Sequence, residues 1–303
     1  MPRLAAFPKC YMDQLCVDRS MTLFEWIDIA STLGVEGLEL YPGFFASLAS
    51  DYLAQVRGRL QHHGLVVPMY CYSPDFTQPD AADRAAEVAG VCRAIDLLAS
   101  FEAPAPRTCR VLSGQRRPEV PLEQGLRWAR DGILACLEHA ERRGVVLAIE
   151  NHYKDNYWRY PELAQHLDAF ARLALSIDSP WFGVNYDPSN AILAGDDPLA
   201  VLRAVCHRVV SMHASDRYIL PGHSVEELRG IEDSVGYAGI LRHGEVGCGM
   251  NDYDAIFTQL AGAGFDGWIS LEDGMNGVEE MRRSLDYLRT MVARHFPARP
   301  DGP

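Results

Sequence analysis

Short apolar runs rich in Val, Ile, Leu and Tyr alternate along this chain with longer segments in which apolar residues recur at helical spacing. The short runs predict strands and the longer ones helices, and their regular alternation is the pattern of β–α units on a parallel sheet. The strand-length runs are Leu4–Phe7, Gly37–Tyr41, Val66–Tyr72, Cys109–Leu112, Val145–Glu150, Phe182–Tyr186, Val209–His213 and Gly267–Leu271. Helical spacing is read at 22–33, 45–62, 80–100, 122–142, 160–175, 197–206, 252–262 and 277–295. Asp80 or Asp83 suits the start of the third helix, and Gly34, Gly64, Gly144 and Gly264 each stand between a helix and a strand, where a left-handed residue is wanted. Eight strands alternating with eight helices fit a single (β/α)8 TIM barrel, in the α/β class, better than an open doubly wound sheet.

No Pro-, Gly- or Ser-rich linker interrupts the alternation, so residues 1–296 are read as one barrel domain and 297–303 (PARPDGP) as a frayed C-terminal tail. One connection is longer than a turn requires. The β7-α7 loop, residues 214–249 after the seventh predicted strand, carries Pro221 and an amphipathic patch near 225–231, and connections of that length are usually functional covers or disordered.

Composition narrows the classes of partner. In a chain of 303 residues, 48% apolar and 23% charged describe an ordinary globular protein, and 28 Lys and Arg against 41 Asp and Glu give a net charge of −13. That field repels phosphate backbones and anionic headgroups, so neither a nucleic acid nor a membrane is expected as a partner. No apolar run approaches the length of a membrane span, and the N-terminal segment lacks the apolar core of a secretory signal, so a cytoplasmic location is expected. The cysteines are scattered singly, without C-x-x-C spacing, as buried thiols in a reducing compartment would be.

In a parallel barrel the chemistry sits where strands end at their carboxyl face. The fifth strand ends at Glu150, the sixth runs into Asp187, the seventh ends at His213 and the eighth runs into Glu272. Taken singly, each acid could be a cap for the following helix. Together, three carboxylates at one barrel mouth would repel one another unless a cation lay among them, and an O₃N donor set suits Mn²⁺, Mg²⁺, Co²⁺ or Fe²⁺ with open positions.

The pieces LAIENH (147–152), GVNYDPSN (183–190), SMHASD (211–216) and GEVGCGMNDYDAIFTQLAGAGFDGWISLED (244–273), with GVEGLEL (34–40) near the start, resemble the xylose-isomerase-like TIM-barrel superfamily of sugar-phosphate isomerases and epimerases. The resemblance implies one divalent cation held by Glu150, Asp187, His213 and Glu272, with Mn²⁺ expected and Mg²⁺, Co²⁺, Fe²⁺ or Zn²⁺ as alternatives. It also implies that Glu150 and Glu272 act as a proton-transferring pair on a small carbohydrate substrate. Such a site abstracts a proton next to a sugar carbonyl through a metal-stabilised ene-diolate, and returning it gives isomerisation or epimerisation. Expelling a β-substituent instead would make a lyase acting on a keto-sugar or 3-keto-glycoside, similar to inosose dehydratases and C-glycoside deglycosidases.

His152, two residues beyond Glu150, is a further candidate catalytic residue, and Asn190, Arg217, Lys9 and Glu39 are candidate substrate-binding residues, with Tyr11 and Tyr41 beside the same strand ends. Asn190 stands where many relatives have a histidine, and Asn156 where many have a glutamate, so the local hydrogen bonding must differ from theirs. Arg107, Arg110, Arg116 and Arg117 around the fourth strand read as a solvated edge, which leaves a phosphorylated substrate undemanded. His223 and His243, in the long loop, read as polar filler unless the loop folds over the mouth. A homo-oligomer, or a partner subunit completing the mouth, is compatible with the sequence; a non-catalytic barrel is the remote alternative. The trinuclear zinc design of endonuclease-IV-like barrels would need histidines at further strand ends, whereas His62 and His63 close a predicted helix.

Overall fold

The computed structural model describes residues 1–103, 106–155, 158–229 and 237–297. Eight parallel strands close into a barrel: β1 (Arg3–Ala6), β2 (Gly37–Leu40), β3 (Val66–Cys71), β4 (Arg107–Val111), β5 (Val145–Glu150), β6 (Phe182–Tyr186), β7 (Val209–Ala214) and β10 (Trp268–Leu271). The order around the barrel is β1-β10-β7-β6-β5-β4-β3-β2, so neighbours in sequence are neighbours in space and β10 closes the ring against β1. Each predicted run coincides with one of these strands to within two residues at either end. Their burial explains why. Helices cover the outside and packed side chains fill the inside, so β2, β5, β6 and β10 are buried at every position and read as continuous apolar runs.

The helices form where local signals support them. Thr22 and Glu25 make a reciprocal capping box at the start of α2 (Leu23–Ser31), and Asp80 caps α4 (Ala81–Ala99) by accepting from Ala82 N. Gly144, at φ +63°, ends α5 (Leu122–Arg143) in the left-handed conformation that the sequence anticipates. Two expectations are corrected. The helix expected over 45–62 begins at Ser50 as α3 (Ser50–His62), after the single 3-10 turn Pro42–Phe44, and the helix expected over 160–175 begins at Leu167 as α6 (Leu167–Leu175). In the second case Glu162 and Gln115 pair across a bridge between the loops after β5 and β4, and those side chains hold the loop open instead of winding it.

The long connection is also more ordered than a frayed cover. Asp216–Ile219 (β8) and Leu241–Gly244 (β9) pair antiparallel as a two-stranded ribbon, with Arg217 opposite His243, and Val225–Arg229 forms the short helix α9. Residues 230–236 of the predicted loop, residues 298–303 of the predicted tail and Asn156 lie outside the described residues. Among the described residues no helix is long and apolar enough to cross a membrane.

The backbone packs tightly where β10 enters the barrel: a Cβ on Gly267 would lie 2.1 Å from the Val210 carbonyl oxygen of neighbouring β7. Backbone cannot swing aside as a long side chain can. Gly267→Ala is therefore expected to lower the unfolding free energy by about 1–3 kcal/mol, the usual cost of overpacking. Urea denaturation monitored by circular dichroism measures this, and an unchanged midpoint would mean that the β7–β10 contact yields without cost.

Candidate metal centre and active site

At the carboxyl ends of the strands, ligand-type atoms of Glu150, Asp187, His213 and Glu272 all lie within 4.8 Å of one another. Each arrives there by a local device. The motif Glu150-Asn151-His152 splits its work: Asn151 Nδ2 donates to the Asp187 carbonyl at 2.6 Å and its Oδ1 accepts from Asp187 N at 2.9 Å, clamping the end of β5 to the end of β6. Asp187 is both helix cap and member of the cluster. Its Oδ1 accepts from Ser189 N, Asn190 N and Ser215 Oγ at 2.7, 3.0 and 2.8 Å, starting α7 (Pro188–Leu193), and no hydrogen bond among the described residues engages Oδ2.

His213 is held from two sides. Its Nε2 is 3.0 Å from Glu39 Oε2, while Nδ1 is 3.1 Å from both Glu150 Oε1 and Glu272 Oε2. Glu39 is only 1% exposed and lies beneath the imidazole, so it acts on His213 and not on a molecule in the mouth, where the sequence reading put it. The two flanking glutamates are arranged alike. Glu150 keeps Oε2 3.0 Å from Arg110 Nε, and Glu272 Oε1 accepts from Lys9 Nζ at 3.0 Å, so each has one oxygen on a cation and one on the cluster. Asn190 Nδ2 donates to Glu150 Oε1 at 3.1 Å.

The charge states follow from this crowding. Burial opposes ionisation of Glu150 and Glu272, but His213 with Arg110 holds the first below the usual carboxylate range, and Lys9 with His213 holds the second well below it. Burial alone would deprotonate His213, yet Glu39, Glu150 and Glu272 around it keep the imidazole charged far above its ordinary value. Asp187 forms no ion pair among the described residues, and burial together with Glu272 and Glu150 pushes its carboxyl up to about 7, the charged His213 offsetting only part of this. Three carboxylates and one imidazole converge within 4.8 Å, and the acid without an ion pair is the one whose ionisation suffers. Those observations fit an O₃N site for a divalent cation.

Above the cluster opens a cavity of about 280 Å³, lined among others by Lys9, Tyr41, Arg110, His152, Asn190, Arg217, His243 and Glu272. Lys9, Asn190, Arg217 and His152 thus reach the mouth as expected from sequence, as does Tyr41, whereas Tyr11 stacks against Trp26 with ring centroids 6.0 Å apart. The arginine group does not behave as one solvated edge. Arg110 is buried on β4 and faces the cavity, bonding Ser73 Oγ at 3.1 Å as well as pairing with Glu150. Arg117 pairs with buried Asp75, and Arg107 donates to the carbonyls of Ala99, Phe101 and Arg143 at helix ends on the opposite face of the barrel. A charged residue inside an otherwise buried strand, RTCRV, was the available signal for Arg110.

Two imidazoles face the cavity with a carboxylate behind them. His152 Nδ1 lies 3.7 Å from Glu162 Oε2, while the other oxygen, Oε1, accepts from Ser113 N and Oγ at 2.8 and 2.9 Å; His243 Nδ1 lies 3.3 Å from Asp273 Oδ1. Neither imidazole contact is a hydrogen bond, and burial pushes the Glu162 carboxyl well up and that of Asp273 up to about 7. Burial, with Arg217 and Lys9 nearby, pushes His243 down to about 2, so it stays neutral. His243 is therefore part of the mouth, unlike His223, which pairs with Glu227 at the surface. Delivery of His243 and Arg217 depends on Asp216, whose carboxylate accepts from the backbone N–H groups of Arg217, Gly247, Gly249 and Asn251 and so ties the ribbon to the loop before α11 (Tyr253–Gly262). A Cβ on Gly249 would come within 2.3 Å of Asp216 Oδ1, which accounts for the Gly-x-Gly turn at 247–249.

Known proteins share this architecture. The IolI protein, solved with a bound zinc atom, superposes with a TM-score of 0.74 at 13% identity, over 97% of this chain and 99% of that one. The 3-keto-D-glucoside 4-epimerase YcjR from E. coli gives a TM-score of 0.67 at 17% identity, over 96% and 100%. The probable 3-DHS dehydratase AsbF from Bacillus anthracis, involved in petrobactin synthesis, gives 0.69 at 15%, over 95% and 98%. At such identities these likenesses show the fold alone. No curated protein matches the chain in a sequence search. The family model described as xylose isomerase-like TIM barrel matches residues 27–291, and this chain belongs to that family.

Proposed function

We propose that this protein is a divalent-metal-dependent enzyme, with Mn²⁺ as its ion, that moves a proton on the carbon next to a sugar carbonyl and so isomerises or epimerises a small carbohydrate. The observation that carries the reading is the matched placement of Glu150 and Glu272, both 3.1 Å from one imidazole nitrogen and each with its second oxygen on a fixed cation. A cation held by Glu150, Asp187, His213 and Glu272 would supply a Lewis acid for the carbonyl oxygen and its neighbouring hydroxyl.

The chain's own groups do the rest. Arg110 and Lys9 keep the two glutamates ionised, as a base must be, and fix the direction of each carboxylate. The ionised glutamate takes the proton from carbon and the other, which must first have taken a proton from solvent, gives that proton back, so the pair exchanges its protonation state in each turnover. Return to the opposite face of the same carbon gives an epimer; return to the adjacent carbon gives an isomer. Asn190 and the imidazoles of His152 and His243, all lining the cavity, suit the hydroxyls of a polyol. The polar lining excludes an apolar ligand better than it excludes water. Epimerase and dehydratase relatives on the same fold support an enolising first step and leave open which second step follows it.

Two measurements test the reading. In D₂O, with Mn²⁺-repleted protein and a panel of ketoses and 3-keto-glycosides, deuterium is expected at one carbon of an unchanged skeleton. Glu150→Gln and Glu272→Gln should each lower that exchange by about 10²–10⁴-fold at saturating Mn²⁺, with bound metal quantified in parallel. Near-normal exchange in either variant removes that glutamate from proton transfer, and loss of water or of an aglycone identifies a lyase on the same site. Separately, Glu39→Ala should weaken Mn²⁺ binding to chelator-stripped protein by about 10–100-fold through loss of the His213 Nε2 contact, as read by calorimetric titration. Unaltered affinity would mean that packing alone orients His213.

A further inference from the structure

The basic side chains around the cavity fall into two groups. Lys9 donates to Glu272, Arg110 pairs with Glu150, His152 faces Glu162 and His243 faces Asp273. Lys154 also lines the cavity but is partly exposed and solvated. Arg217 differs from all of these. It is 6% exposed, no carboxylate among the described residues comes within 4.0 Å of its guanidinium, and its Nε is buried without a hydrogen-bond partner. The neighbouring acids are committed elsewhere: Asp216 to four backbone N–H groups, Asp273 to Asp216 N and to the His243 ring.

A guanidinium is almost never buried without a counter-ion, because the desolvation it suffers has to be offset by an anion with hydrogen-bonding geometry. Arg217 is also held rigidly. It sits on β8, opposite His243 in the ribbon, and its backbone is fixed at both ends by Asp216 and by the hydrogen bond from Met250 N to its own carbonyl. A cavity-lining guanidinium on a fixed backbone, with no ion-paired acid among the described residues, is complementary to a carboxylate, which it can grip through two parallel hydrogen bonds.

From this we infer that the substrate is an acid sugar: a keto-sugar carrying a carboxylate, which enters against Arg217 while its carbonyl end reaches the metal cluster. The inference rests on the enolising reading of the same cavity and adds the charge of the substrate to it.

The test uses matched sugars that differ only in that group, D-fructose with D-fructuronate and D-tagatose with D-tagaturonate, titrated calorimetrically into the full-length Mn²⁺-loaded protein. At least one acid is expected to bind tenfold or more tightly than its neutral partner. Arg217→Met should abolish that preference, weakening the acid sugar at least tenfold more than its neutral partner, and Arg217→Lys should retain part of it. The inference is overturned if no acid sugar binds better than its neutral counterpart, absence of binding by both included, or if Arg217→Met weakens acid and neutral sugar by the same factor. Should the variant fail to fold, the wild-type comparison decides alone. Deuterium exchange on the same panel separates the two readings: exchange without acid preference overturns only the present inference, whereas acid preference without any exchange overturns the enolising reading.

Discussion

The constraint on which this structure turns is the gathering of like charge at a buried place. Glu150 and Asp187, both buried, meet the partly exposed Glu272 at the barrel mouth, where water screens them poorly, and the polar groups nearby answer that crowding. Lys9 and Arg110 each take one oxygen of a glutamate, and His213 stands between the glutamates with Glu39 at its back. Asp187 receives backbone N–H groups and a serine hydroxyl, but forms no ion pair among the described residues. Its carboxyl is correspondingly the one forced up in pKa, and a divalent ion would relieve that imbalance.

The same residues show that the structural and the chemical explanations of a strand-end acid are not exclusive. Asp187 caps α7 with Oδ1 and still places a carboxylate oxygen in the cluster, so a capping role is no argument against a ligating one. Asp216 and Asp273 have the mainly structural role that was open for every strand-end acid. They fasten the ribbon of β8 and β9 over the mouth and thereby turn a long loop into a wall that carries Arg217 and His243.

Much of the fold was legible because the barrel makes strong local demands. Strands buried on both faces must be apolar throughout, helices must be amphipathic, and the left-handed residue that closes α5 favours glycine, as Gly144 shows. The candidate ligands were legible for the same reason: Glu150, Asp187, His213 and Glu272 interrupt apolar runs at the one end of a parallel barrel where polar groups converge. The loops gave no such periodic signal. The late start of α6 is a consequence of Glu162 and Gln115 bonding across loops, which no window of sequence contains.

Chain order determined by itself that this protein is a (β/α)8 barrel and which four side chains end its fifth to eighth barrel strands, since both follow from the period of apolar residues. Tertiary structure alone decided what surrounds them. Arg110 became a partner of Glu150, Glu39 went beneath His213, and Arg217 was left buried with no ion-paired acid among the described residues. The physical reason is that a charge's role depends on which opposite charge lies within a few ångströms of it, and the closing of the ring brings together residues as distant in the chain as Lys9 and Glu272.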